Sequence, residues 1–305
     1  MPNADLTRFV AQAREHAHEA LASLGTLPDG VSVARFIADY GKVGDMVHYV
    51  TVPDAAAEAV SKVEAAHGAD GAKTFLRAAL AQGAADLLES GRLDALPPRI
   101  VHYHVKHMGR IAGATAANAD WMNIKGDLFH KDFGLITLRL FAAAAQLLDI
   151  RCGIPRSILF TEGALASVKK GQAIMQMGGF KPYVQIHTHL SDLDDFNEEG
   201  WNECYRCCAE LYEKMPQLLG MFGASWFYDP VLDDISPRLA YLRKIPQDGG
   251  AHVLYVSTGG DHIDNATSTS PSRRKLYEEG KYMPKSYMLA WGKREQIDWA
   301  RRNPR

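Results

Sequence analysis

The stretch "QIHTHLSDLDDFNEEGW", residues 185–201, sets His187 and His189 on alternate positions, with Asp192, Asp194 and Asp195 close behind. Imidazole titrates near neutral pH, so a pair of imidazoles beside carboxylates has the chemistry of a general base. In an extended strand, side chains alternate between faces. That would put Gln185, His187 and His189 on one side, and Ile186, Thr188 and Leu190 on the other. Asn197 precedes Glu198 and Glu199, where it is placed to cap a helix. Asn197 and the amides opening that helix would then steady developing negative charge. The plain alternative is a solvated loop with a good cap.

Other runs offer other chemistry. "FHKDFG" holds His130 and Asp132, and "GGDHIDNATSTSPSRR" holds His262 and Arg273. A His-x-Asp pair with a distant histidine is the ligand set of a non-haem iron(II) oxygenase. His130, Asp132 and His262 would hold the metal, and Arg273 the carboxylate of 2-oxoglutarate. The segment "HIDNATSTSPSRR" resembles its counterpart in phytanoyl-type oxygenases. "VHYHVKHMG" brings in His102, His104 and His107, but no acid stands at the His-Glu-x-x-His offset. These are expected to be helix histidines bonded to backbone or solvent. Cys204, Cys207 and Cys208 in "ECYRCCAE" sit mid-helix, as small buried apolar residues do. In "GMFGASWFYDP", Ser225 lacks the Gly-x-Ser-x-Gly elbow, while Trp226, Phe227 and Tyr228 would wall a pocket at a strand end. Arg273 and Arg274 open a further helix, where they either hold an anion or face solvent.

The elements that must position these groups divide in two. Up to about residue 125, alanine is frequent and apolar residues recur at helical spacing. Helices are expected from Phe9, from Pro53-Asp54, across "DGAKTFLRAALAQGAADLLESG" and from Pro98. From 126 to 305, short runs suited to strands appear at 157–160, 183–190, 221–228, 251–257 and 286–291. Helices are expected between them at 197–215, 231–244 and 271–280, and a last one near 294–302. The fold class is therefore mixed α+β: a helical region, 1–125, packed on an α/β layer of alternating strands and helices, 126–305. "GLITLRLFAAAAQLLDI" reads equally as strand or helix.

Composition narrows the function classes. The 305 residues are 47% hydrophobic and 23% charged, with a formal net charge of -2 and the signs interleaved. Such a balance gives no electrostatic footprint for nucleic acid or an anionic membrane. No uncharged apolar run approaches the ~18 residues of a membrane span. Four cysteines make no disulfide framework, so a cytoplasmic, reduced setting is expected. The expected partner is a small molecule, and a homo-oligomer is compatible with the sequence.

The order from Tyr183 to Trp291 resembles the second half of a GNAT-type acyltransferase. There a catalytic strand leads into a helix, a second strand, a second helix and a final strand pair. "SPRLAYLRKIPQDGGA" resembles that family's tyrosine-bearing helix ending at a glycine turn. The resemblance implies acyl transfer from an acyl-CoA or other acyl donor to an amine or hydroxyl. His187 or His189 would be the base, Tyr228 or Tyr241 the acid toward the leaving thiol, and Trp226, Arg273 and Arg274 the donor's surroundings. The family's pyrophosphate loop is absent here, replaced by acidic "SDLDDFN". Two further functions are kept beside it: the iron(II)/2-oxoglutarate oxygenase, and a non-catalytic ligand-binding or scaffold protein.

Overall fold

The alanine-rich part forms the helices its spacing predicts. In the computed structural model, which describes residues 3–42, 44 and 47–304, these are α1 (Asn3–Leu24), α3 (Asp54–Glu89) and α4 (Pro98–Ala114), and two helices not expected from the sequence, α2 (Val33–Tyr40) and α5 (Asp127–Ile136), join them. The two stretches expected on either side of His67 join as α3, broken only at Gly68, whose φ of 73° leaves the helix. Pro98 occupies the first turn of α4, where a missing N–H costs nothing. Small side chains let these helices approach closely. Ala13, Ala85 and Ala112, one each from α1, α3 and α4, meet under Phe9 and Val10. Nearby, Phe36 meets Phe75 and Phe133 edge-on at 5.3 and 5.4 Å, the geometry aromatic quadrupoles favour.

The ambiguous run resolves as a hairpin, β1 (Leu140–Ala143) with β2 (Gln146–Cys152), paired from Leu140↔Asp149 to Ala143↔Gln146. It belongs with the helices, because His104 of α4 accepts the Ala142 N–H and Leu140 lies against Gly134 of α5. The chain accordingly divides inside β2 instead of at 125/126. One unit runs up to Asp149 and regains Thr188–Leu193; the other takes Ile150–His187 and the chain from Asp194 on.

The second unit contains α6 (Ala164–Gln176), β3 (Tyr183–His187), α7 (Glu198–Lys214), β4 (Gly220–Ser225), α8 (Leu232–Ile235) and α9 (Tyr241–Asp248). It continues with β5 (His252–Thr258), α10 (Asp261–Thr267), α11 (Pro271–Glu278), β6 (Lys285–Gly292) and α12 (Lys293–Arg302). The strand order is β1-β2-β3-β4-β6-β5. β3 runs parallel to β4, and β6 is antiparallel to both β4 and β5. The class is mixed α+β. One sheet face buries Tyr183, Phe222, Leu254 and Met288 with Ile174 of α6. Beyond Met221 and Trp291, aromatic residues gather: Tyr205 of α7 lies edge-on to Trp291 at 5.2 Å and to Trp299 of α12 at 5.7 Å.

Several expected bounds shift for local reasons. "SILF" is a 3-10 turn (Arg156–Phe160) that follows Pro155, not a strand. β4 ends at Ser225, and Trp226–Tyr228 coil into another 3-10 turn. The helix expected over 231–244 breaks at Pro237 and resumes as α9. No helix among the described residues is long and apolar enough to cross a membrane.

Candidate functional site

The site grows from α4. Its buried stripe is Ile100, His104, His107, Met108 and Ile111, so two histidines stand where helical spacing asks for apolar residues. His104 is fully enclosed. Its Nε2 donates to the Leu135 carbonyl at 3.0 Å, and its Nδ1 accepts from the Ala142 N–H at 3.4 Å. Both nitrogens are thus satisfied by backbone in the neutral form, and burial pulls the imidazole down to about 4. His104 is a core residue.

This position makes stability depend on pH. The unfolded chain takes up a proton at His104 near its ordinary value of 6.5, whereas the folded chain resists until about 4. The stability held by neutral His104 is therefore complete above about pH 6.5 and declines as pH falls toward 4, by up to ~1.4 kcal/mol per pH unit. Urea midpoints measured from pH 7 to 4.5 should fall accordingly. His104→Gln, less stable at pH 7, should show a flatter profile across that window.

One helical turn on, His107 enters a second network wholly within the first unit. Its Nε2 lies 3.1 Å from Asp192 Oδ2, and Arg110, three residues later on the same helix, reaches its Nδ1 at 3.5 Å. Arg110 also clamps Asp132 of α5 with two N–H groups, NH1 to Oδ2 at 3.2 Å and NH2 to Oδ1. Asp132 Oδ1 accepts in turn from His189 Nε2 at 3.1 Å. Ser191 closes the circuit: its Oγ is 2.6 Å from His189 Nδ1 and 3.5 Å from Asp192 Oδ1. Asp132 and His189 are fully buried, and Asp192 and His107 nearly so. Ser191 is exposed. Burial would push the Asp132 carboxyl up, but the His189 hydrogen bond and the Arg110 charge outweigh it and hold the group below the usual carboxylate range.

His107, Asp132 and His189 converge as a metal set would, their ligand atoms all within 4.8 Å of one another. The hydrogen bonds assign these atoms differently. The Ser191 backbone N–H reaches His189 Nδ1 at 3.0 Å, and a backbone N–H can only donate. His189 Nδ1 is therefore the acceptor, and the ring proton sits on Nε2, facing Asp132. Arg110 can likewise only donate to His107 Nδ1, which directs the Nε2 proton of His107 at Asp192. Neither Nε2 offers a lone pair while these bonds stand. The arrangement is a hydrogen-bond relay, with Asp132 already clamped by a guanidinium.

The residues singled out in the sequence are placed as follows. His187 and His189 do not share a strand face, because β3 ends at His187 and His189 begins the 3-10 turn Leu190–Asp195. Asn197 caps α7 as expected, with Oδ1 accepting from the Gly200 N–H at 3.0 Å and Nδ2 donating to Asp194 O at 2.8 Å. Both ends of its amide are engaged, so it is not an oxyanion donor. A Cβ at Gly200 would stand 2.0 Å from the Asp195 carbonyl, so glycine is required in this first turn. Trp226 and Arg273 do meet, the guanidinium lying 4.6 Å over the indole. But Arg273 is buried, with Nε on Ala266 O at 2.6 Å and NH1 on Ser236 Oγ at 3.2 Å. It fastens α11 to α10 and does not present itself to an anion. Arg274 is exposed.

Of the residues expected to hold iron, Asp132 is in the relay, and His130, pulled down by burial, bonds the Tyr40 hydroxyl and the Ile124 backbone. His262 Nε2 contacts Ser257 Oγ at 2.9 Å. The four cysteines are buried free thiols. Tyr228 is buried, and its hydroxyl has no hydrogen-bond partner among the described residues. Burial pushes this phenol well above its ordinary value. Sequence reasoning missed Arg110 and Ser191, and it named His107 and Asp192 without pairing them. The available signal was the pair of histidines on the apolar stripe of α4.

A surface cavity of about 90 Å³ lies elsewhere, lined by residues of α2 and α3 that include Arg35, Asp39, Glu58 and Lys62. Arg35 pairs with Asp39 and Lys62 with Glu58, so its charges already serve one another. Comparison of the chain with protein-family models, with characterised proteins and with solved structures finds no match.

Proposed function

We propose that the second unit transfers an acyl group from a thioester to an amine or hydroxyl, at the carboxyl ends of β3 and β4. One observation carries this reading. The parallel ladder comprises Val184↔Met221 and Gln185↔Phe222 and then stops, although β3 continues to His187 and β4 to Ser225. Beside that break lies the unpartnered Tyr228 hydroxyl, 3.6 Å from where a Gly223 Cβ would be. Ligands of sheets with parallel strands gather at such carboxyl ends. A buried hydroxyl with no protein partner also calls for an explanation.

In this mechanism His187, half-buried at the end of β3, accepts the proton of the attacking amine or hydroxyl. The carbon–sulfur bond breaks, and the departing thiolate takes the Tyr228 proton. The phenol, raised by burial, carries that proton at neutral pH. Asp194, Asp195, Glu198 and Glu199 follow β3 and disfavour a diphosphate. The donor is therefore recognised through its thioester instead of its phosphates.

The test is free-thiol release from S-acyl N-acetylcysteamine and from acyl-CoA of matched chain length, in the presence of amine and hydroxyl acceptors. Release above the protein-free rate with the phosphate-free thioester is expected. No release from either donor across the acceptor set would overturn the reading.

A further inference from the structure

The relay in the first unit has a chemistry of its own that the acyl-transfer reading does not use. We infer that Ser191 is a nucleophile activated by His189, and that this centre opens small esters or thioesters through an acyl-serine intermediate. Three features lead there. Ser191 is exposed, whereas His189 and Asp132 behind it are fully buried, so the serine is where this triad meets solvent. Its Oγ lies 2.6 Å from His189 Nδ1, the nitrogen shown to carry no proton by the Ser191 N–H that also points at it. And the opposite nitrogen donates to Asp132, which Arg110 holds in place from the other side.

These are the roles of nucleophile, base and orienting carboxylate, recognised by geometry and not by sequence order. The Nε2–H to Asp132 bond fixes the tautomer and lowers the cost of the imidazolium that forms. A serine bonded to a histidine on a loose surface would lack both. Here the ring is fully buried between the two partners, so the base cannot rotate away.

The reaction balances within these residues and one water. Ser191 Oγ bonds to the acyl carbon while its proton passes to His189 Nδ1. Collapse breaks the bond to the leaving oxygen or sulfur, which takes that proton. Water then attacks the acyl-serine, gives a proton to Nδ1, and releases the carboxylic acid as Ser191 regains the proton. The sum is ester plus water to acid plus alcohol or thiol.

The test is covalent capture with a fluorophosphonate probe, which needs no thioester or acceptor and so separates this inference from the Tyr228 reading. Serine attacks phosphorus and fluoride leaves. Intact mass and peptide mapping should show one adduct, on Ser191, and Ser191→Ala should show none. Asp132→Asn and His189→Gln, each checked for cooperative thermal unfolding, should label more slowly by about 10²–10⁴-fold, the span that a positioned general base contributes. Ser191→Ala, altering an exposed side chain, keeps the test sound if either buried variant unfolds. An absent adduct, an adduct elsewhere, or Ser191 labelling at an unchanged rate in folded Asp132→Asn would overturn the inference.

Discussion

Tyr228→Phe should slow formation of the acylated amine or hydroxyl from the thioester donor by about 10²-fold, at the low end of what proton transfer by a placed side chain supplies. The same change should leave the protein at least as stable as before, and by physical argument more so. The phenol is buried and its hydroxyl has no partner. Removing an unsatisfied buried hydroxyl recovers part of a desolvation penalty of about 1–3 kcal/mol. Its ring contacts remain, including the edge-on approach to Phe227 at 4.7 Å and to Trp201 at 6.5 Å. The paired outcome separates a chemical role from a packing one. A residue kept only for packing would lose neither turnover nor stability on becoming phenylalanine. Steady-state formation of the acylated acceptor and urea unfolding on the same preparation decide it, and unchanged kcat would end the assignment of Tyr228 as the acid.

Asp132→Ala should have the largest effect on stability, about 3 kcal/mol. Breaking a buried ion pair typically costs about 3–5 kcal/mol, and the lower end applies because Arg110 keeps partial access to water. The loss strands the Arg110 guanidinium and the His189 N–H that now share the carboxylate. Asp132→Asn retains shape and one acceptor and should cost less. The carboxyl is held below its ordinary value of 3.8 in the fold. Its contribution is thus fully present above about pH 3.8 and lost as pH falls through the folded value. Wild type should therefore lose stability in two windows, first between about 6.5 and 4 through His104, then below 3.8 through Asp132. Asp132→Asn should shrink the second decline and leave the first, the remainder of the second coming from Asp39, Glu58, Asp120 and Asp233, which their basic partners also hold below the ordinary range. Urea midpoints across pH 7 to 2.5 test both signs, and an Asp132→Asn profile parallel to wild type would show that this carboxylate is not the acid-sensitive group.

What could be read from the residues alone was whatever depends on neighbours in the chain. Helical spacing and proline placement gave α1, α3 and α4, because both act within one or two turns. Alternation gave β5 and β6, with bounds shifted by a residue. Asn197 before two glutamates predicted a cap, and a cap it is. The hairpin Leu140–Cys152 resisted because "LFAAAAQLL" is apolar but for Gln146, so neither period shows. It also falls in the helical unit, since its partners are helix residues such as His104.

The candidate site was legible only in part. His189 and Asp132 were both singled out, but for different chemistries, since 57 positions separate them and nothing local marks their hydrogen bond. His107 looked like an ordinary helix histidine, and its partner Asp192 lies 85 residues away. The alternation that paired His187 with His189 holds only while the chain stays extended. It stops being extended at His187, where the 3-10 turn closes with the Asp192 N–H on the His189 carbonyl. The sequence by itself determined the inventory of titratable groups, the longest helices and four of the six strands. Which imidazole meets which carboxylate, which nitrogen keeps its proton, and which hydroxyl is left exposed were decided by tertiary structure. Those properties belong to pairs of atoms that only folding brings within 3 Å or so, and no periodicity along the chain encodes them.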